Sequence, residues 1–166
     1  MTDDSGRAAR LRDELTDTLL AEGKIVSPVL EKAFRRVPRE LFVPDGTALE
    51  VVYSVDNSVV TKTDEHGVNL SSISATYIQA RMIEMAGLGP GMTVLEVGTG
   101  GYNAALLAEV VGPTGYVVSI DIDAEITDRA GRLLERAGYG GRVTVLQADA
   151  EHPVPGFGRF DGTLVT

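Results

Sequence analysis

The chain has no cysteine. That absence removes disulfides, thiolate metal sites and cysteine nucleophiles together. Histidine is nearly absent too. His66 and His152 stand far apart in polar stretches and read as solvated loop residues, so no metal site is expected. Positive charge is the third shortage: 15 basic residues face 24 acidic ones, for a net charge of −9. Affinity for nucleic acid is built by neutralising phosphates with Lys and Arg, so nucleic acid is excluded as a partner. An anionic membrane surface is excluded for the same reason. No apolar run approaches the roughly 18 residues of a membrane span. The opening Met-Thr-Asp-Asp-Ser-Gly lacks the basic-then-apolar pattern of a secretion signal. The cytoplasm is the expected compartment.

What is present suffices for a core. Apolar residues make up 43% of 166, a single domain by length. Leu11, Leu15, Leu19 and Leu20 form one stripe, which predicts a helix over 7–23. Ser27-Pro28 reads as N-cap and first position of a second helix ending near Arg36, because the residue before Pro38 is pushed out of helical geometry. Leu41-Phe42-Val43-Pro44 is expected to dock on the main domain. Val51–Ser54 and Ser58–Lys62 read as short β-like runs, with a polar loop between Lys62 and Val68. Ser72-Ile73-Ser74 leads into a helix to about Ala86. From Met92, strands at 92–97, 115–121, 142–147 and 160–165 alternate with helices at 102–111 and 124–137, the second capped by Asp123. Such alternation predicts βαβ units and a parallel sheet with helices on both faces. The expected division is an N-terminal extension, 1–71, and a nucleotide-binding core, 72–166. In a sheet starting 3-2-1-4 the fourth strand would be internal. The core is therefore expected to be C-terminally incomplete, lacking a further segment or a partner that completes the sheet.

The chemistry concentrates in Val94-Leu95-Glu96-Val97-Gly98-Thr99-Gly100-Gly101-Tyr102-Asn103. An apolar strand, a glycine turn and a helix opening make the first unit of a nucleotide-binding α/β fold. Glu96 separates two ligand classes. A pyrophosphate needs bare backbone N–H groups at a helix N-terminus, and a carboxylate there would repel it. S-adenosylmethionine (SAM) has a positive end and no phosphate, and fits. Asp121 ends the second strand 23 residues after Gly98, where a carboxylate accepts from ribose hydroxyls. NAD and SAM both carry that ribose, so Asp121 supports a nucleoside without choosing between them. Asp149 ends the third strand, where an acid meets the adenine edge.

With these residues the chain resembles the protein-L-isoaspartate (D-aspartate) O-methyltransferase family. The similar phrases are Val37-Pro38-Arg39-Glu40-Leu41-Phe42-Val43-Pro44, Ser72-Ile73-Ser74-Ala75-Thr76-Tyr77, Pro90–Gly100, Tyr102–Ala108 and Phe160–Thr166. The resemblance implies a Rossmann-like class I SAM-dependent methyltransferase fold and carboxyl O-methyl transfer onto an Asp or isoAsp side chain of a peptide or protein. It implies a catalytic role for Ser74, for which the residues alone equally support an N-cap. It implies cofactor contacts at Glu96, Gly98, Thr99, Gly100, Gly101, Asn103, Asp121, Ile122, Asp149 and Ala150. Three departures stand out. The glycine loop is one residue short at Gly100-Gly101-Tyr102, Thr76 replaces a proline, and the stretch before Ser72 is longer and more charged. They resemble a branch that tailors ribosomally made peptides, while repair of isoaspartyl proteins is the alternative. Ser72 reads as a loop residue, and Tyr77 and Met82 as core.

The reaction asks little of the protein. A carboxylate with a pKa near 4 is already nucleophilic at pH 7. Alignment and desolvation are the main demands, and in-line positioning alone supplies several kcal/mol. Two other readings remain open: an NAD-dependent oxidoreductase, and a SAM- or peptide-binding module without activity of its own.

Overall fold

The computed structural model describes residues 2–166. Helix α1, Thr2–Ala21, packs beside α2, Pro28–Arg36. Pro28 opens α2 as expected, but the Ser27 side chain does not cap its own helix. Glu84 replaces it: one carboxylate oxygen accepts from the Val26 N–H, the Ser27 N–H and the Ser27 hydroxyl at 2.7–2.9 Å. Burial would raise the Glu84 pKa, but these three donors together hold it below the usual carboxylate value.

A 3₁₀ turn, Arg39–Leu41, carries the chain to Phe42 and Val43, which dock into the core as expected. The next element corrects the sequence reading. Residues 51–54 are not extended, because α3, Leu49–Val52, is a single helical turn in which the Ala48 carbonyl accepts from the Val51 and Val52 N–H groups. Adjacent valines suggested a strand, yet Val52 and Tyr53 are buried side by side while Val51 stays exposed. A strand buried on one face would alternate instead.

Strand β1, Val59–Thr63, pairs antiparallel with β2, Asn69–Ile73, as a separate hairpin. Strand β2 was not expected, and Ser72 lies within it rather than in a loop. Its Asn-Leu-Ser-Ser composition gave no alternation to read. Helix α4, Thr76–Ala86, ends on Gly87 in the left-handed conformation, the common helix stop.

The core is a parallel sheet of β3 (Thr93–Val97), β4 (Tyr116–Asp121), β5 (Val143–Gln147) and β6 (Gly162–Val165), in the order β5-β4-β3-β6. The 3-2-1-4 expectation holds, and among the described residues β6 forms one edge. Helix α5, Tyr102–Val111, is buried nearly all round, wedged between the sheet and α2. Helix α6, Ala124–Arg136, buries only Ile126, Thr127, Ala130 and Leu134, and Asp123 caps it as expected by accepting from the Glu125 and Ile126 N–H groups. Both helices pack on the sheet face carrying Val94, Val117 and Val143. The opposite face, with Val118 and Ile120, is covered by Val154, Phe157 and Phe160, and Phe157 stacks on both Tyr116 and Phe160.

Candidate active site

In a sheet of order 3-2-1-4 the chain reverses its winding between strands one and four, so a crevice opens at their C-terminal ends. Here that point lies between β3 and β6. A cleft of about 490 Å³ opens there, walled by Gly98 and Thr99 after β3, Asp121–Asp123 after β4, and Thr166 after β6. Ser74 closes another side, and residues 69–72 of β2 form a roof.

Gly98 turns the chain at φ +92°, a region L side chains avoid. A Cβ there would stand 2.5 Å from the Thr166 carbonyl oxygen, so β6 and the loop approach closer than any side chain permits. Thr99 follows on the cleft wall, and its hydroxyl is buried with no hydrogen-bond partner among the described residues. Gly100 borders a small adjoining niche with Ser74, Gln79 and Asn103. Gly101 faces away. It has φ +84°, and a Cβ on it would meet the Phe42 ring at 2.9 Å. It packs against Phe42 and lines neither the cleft nor the niche.

Glu96 also lies off the cleft wall. It is fully buried behind the loop, where its carboxylate accepts from Asn103 Nδ2 at 2.9 Å and from the Ser119 hydroxyl. Burial raises its pKa to about 7, against the two hydrogen bonds that favour the anion. Glu96 therefore braces the first turn of α5 to β4. Asn103 is the strut in that brace, and its own Oδ1 has no partner among the described residues.

The structure brings Asp121 and Ile122 to the cleft. Asp121 Oδ1 accepts from the Asp123 N–H at 3.0 Å, which fixes its carboxylate at the strand end. Ile122 is 71% exposed on the rim. Asp149 lies beyond it in a shallower hollow shared with Ile122, Gln147 and Ala148, and its carboxylate accepts from the Glu151 N–H. Ala150 is exposed and borders neither hollow.

Ser74 is not a helix cap. Ala75 holds the N-cap position of α4, and the Thr76 hydroxyl ties that end to the Ser54 and Val55 carbonyls. The Ser74 hydroxyl has no hydrogen bond among the described residues and stands at the cleft. Tyr77 and Met82 pack against the core, and His66 and His152 are exposed, as expected.

Sequence reasoning missed the roof and its latch. Lys62 on β1 reaches α6, with Nζ 2.6 Å from Asp123 and 2.8 Å from Glu125. It missed Ser119 as well, although a lone hydroxyl in an otherwise apolar strand, matched in register to Glu96, was a usable signal.

This layout has counterparts. The model of the family described as protein-L-isoaspartate(D-aspartate) O-methyltransferase matches residues 10–166. The chain belongs to that family. A protein-L-isoaspartate O-methyltransferase from Hyperthermus butylicus is 43% identical over 168 residues, covering 96% of this chain and 66% of that one. A solved protein-L-isoaspartate O-methyltransferase superposes with a TM-score of 0.84 at 36% identity, over 93% of this chain and 47% of that one. A structure of this family name from Plasmodium falciparum, in complex with S-adenosyl-L-homocysteine, shares the fold at TM-score 0.67 and 18% identity, over 84% and 63% of the two chains. The chain thus spans about two thirds of the curated relative and about half of the first solved one. The Thr76 hydroxyl, by donating to the Ser54 and Val55 carbonyls, holds residues 54–55 against the start of α4.

Proposed function

We propose that the protein is a SAM-dependent carboxyl O-methyltransferase acting on isoaspartyl side chains of proteins or peptides. One observation carries the reading: a cleft at the β3–β6 switch point with Asp121 on one wall and the free Ser74 hydroxyl on another. The donor set suits a nucleoside with a positive end. Asp121 is an acceptor for ribose hydroxyls, Asp149 lies beyond Ile122 on the adenine side, and Thr99 offers an unpaired hydroxyl. Nothing basic lines this cleft to receive a pyrophosphate, which argues against a dinucleotide. The Plasmodium falciparum relative was solved with S-adenosyl-L-homocysteine, which favours the same ligand class.

SAM, when bound, supplies an electrophilic methyl group on a positively charged sulfur. The rest is the work of this chain. Gly98 and Thr99 let the main chain approach the ligand. The β2 roof covers one side of the cleft, and removing solvent from the substrate carboxylate there would sharpen its nucleophilicity. Ser74 holds that carboxylate by donating its hydroxyl hydrogen, which fixes one oxygen and leaves the other to react. No base is required, because the nucleophile is already ionised at neutral pH.

Repair of damaged proteins stands ahead of peptide tailoring. The Hyperthermus butylicus relative and the first solved structure carry the plain protein-L-isoaspartate O-methyltransferase name, while tailoring rests on the loop departures alone. Calorimetry with S-adenosylhomocysteine, followed by methyl transfer to an isoaspartyl peptide, tests the reading. Binding and turnover are expected, and a cleft that binds NADH instead would end it.

A further inference from the structure

The N-terminal segment delivers one buried cation to the back of this site. Arg39 is fully buried, and it has no acidic partner among the described residues. Its Nη1 donates to Gln79 Oε1 at 2.7 Å, and its Nη2 donates to the Ser74 carbonyl at 2.9 Å. The guanidinium carbon lies 4.9 Å from the centre of the Tyr102 ring, and Nε has no partner among the described residues. Burying an unpaired cation is expensive, and an apolar side chain would fill the same space at lower cost. Stability alone therefore does not explain an arginine here.

What the guanidinium touches does. Both hydrogen-bonded partners border the site: Ser74 lines the cleft, and Gln79 lines the niche beside it with Gly98, Gly100 and Asn103. The Ser74 side chain has no partner to hold it, and it is not committed to the helix end. Its direction is set by its own backbone, and Arg39 grips that backbone at the carbonyl. We propose that Arg39 is a positioning residue that fixes the direction of the Ser74 hydroxyl across the cleft. A planar fork with two rigid donors can hold a carbonyl and a side-chain amide together, whereas a lysine offers one flexible point of charge. Tyr102 opens α5 directly after the glycine loop, so the same guanidinium also lies against the element that shapes the nucleoside side of the cleft. Gln79 fits this role. Arginine only donates, so the amide oxygen must face it.

The inference rests on the methyl-transfer reading, and the experiment separates the two. The full-length protein is assayed with SAM and an isoaspartyl peptide, as wild type, Arg39→Lys, Ser74→Ala and the double variant. S-adenosylhomocysteine affinity and far-ultraviolet circular dichroism are measured in parallel. Arg39→Lys is expected to lower kcat about tenfold or more, a loss of roughly 1.4 kcal/mol per decade, with S-adenosylhomocysteine affinity within threefold of wild type. Adding Ser74→Ala to Arg39→Lys is expected to cost little more, because both changes act through the same hydroxyl, one by misdirecting it and the other by removing it. Multiplicative losses, or an affinity that falls in step with kcat, would overturn the proposal. If Arg39→Lys does not fold, Gln79→Leu removes one of the two anchors of the guanidinium. A lower kcat that is again non-additive with Ser74→Ala supports the role, and an unchanged kcat or a multiplicative loss overturns it. A wild type that transfers no methyl group removes the methyl-transfer reading and this inference with it. An active wild type with multiplicative variants removes this inference alone.

Discussion

Glu96 and Ser119 stand opposite each other in the β3–β4 register, and the Ser119 hydroxyl donates to the Glu96 carboxylate in a fully buried setting. Burial holds the Glu96 pKa at about 7, above its ordinary 4.5. The folded state therefore keeps a proton that the unfolded state loses between those values. Stability is fullest below about pH 4.5 for this group, falls as pH rises to about 7, and is level beyond. The span is on the order of 3 kcal/mol. Glu96→Gln keeps an acceptor for Asn103 and a donor for Ser119 but cannot ionise. Its urea midpoint is expected to lose that slope and to exceed wild type at pH 8. Parallel pH slopes in the two proteins would show that Glu96 does not titrate in this window.

Asp121→Ala is expected to weaken S-adenosylhomocysteine binding about tenfold or more, roughly 1.4 kcal/mol. The fold should persist, since the one hydrogen bond lost is to the Asp123 N–H. Calorimetry checks this, and an unchanged dissociation constant would remove Asp121 from the cofactor wall.

Glu84→Ala leaves three donors at the entrance of α2 without an acceptor. The expected cost is about 1–2 kcal/mol at neutral pH, the usual scale for losing a helix cap. The Glu84 pKa is held low in the fold, so this stabilisation is present at neutral pH and is lost as pH falls through the acidic range. The difference between variant and wild type should therefore shrink near pH 3. A difference that does not change with pH would point to packing instead.

Lys62→Ala cuts the latch between the roof hairpin and the start of α6. Amide exchange in residues 59–73 is expected to quicken, and S-adenosylhomocysteine to dissociate severalfold faster, while global stability stays near wild type. The wild-type latch should itself loosen in high salt. Unaltered exchange in the hairpin would show that Lys62 does not hold it.

Gly98→Ala combines a disfavoured φ with a backbone clash against Thr166. The expected cost is about 1–3 kcal/mol of stability, accompanied by loss of S-adenosylhomocysteine binding. Wild-type affinity in the variant would mean that the loop relaxes without harm.

The core strands and both crossover helices were legible because their signals are local. Apolar runs, glycine turns and Asp123 each act within a few residues. The polar strand β2 was not legible, since its partner β1 and the latch from Lys62 decide it, and these are tertiary facts. The candidate site divides in the same way. Asp121 and Gly98 follow from strand ends. Glu96 was expected on the cofactor side, whereas the structure buries it behind the loop, an orientation that depends on Asn103 and Ser119 meeting it. Ser74 offered two roles on paper. The N-cap position falls at Ala75, and the Thr76 hydroxyl makes the tie to residues 54–55, so the capping role falls away. Arg39 was visible only as part of a family phrase, because nothing nearby in the sequence shows that its partners lie 35 and 40 residues onward.

The Phe42 ring fills the space where any side chain on Gly101 would have to go. The glycine loop that walls the cleft therefore takes its final shape against residues 38–44, so the first quarter of the chain supplies a packing surface that the loop needs. A fragment beginning at residue 72 is expected to fold its sheet while leaving the loop unformed, with little affinity for the nucleoside.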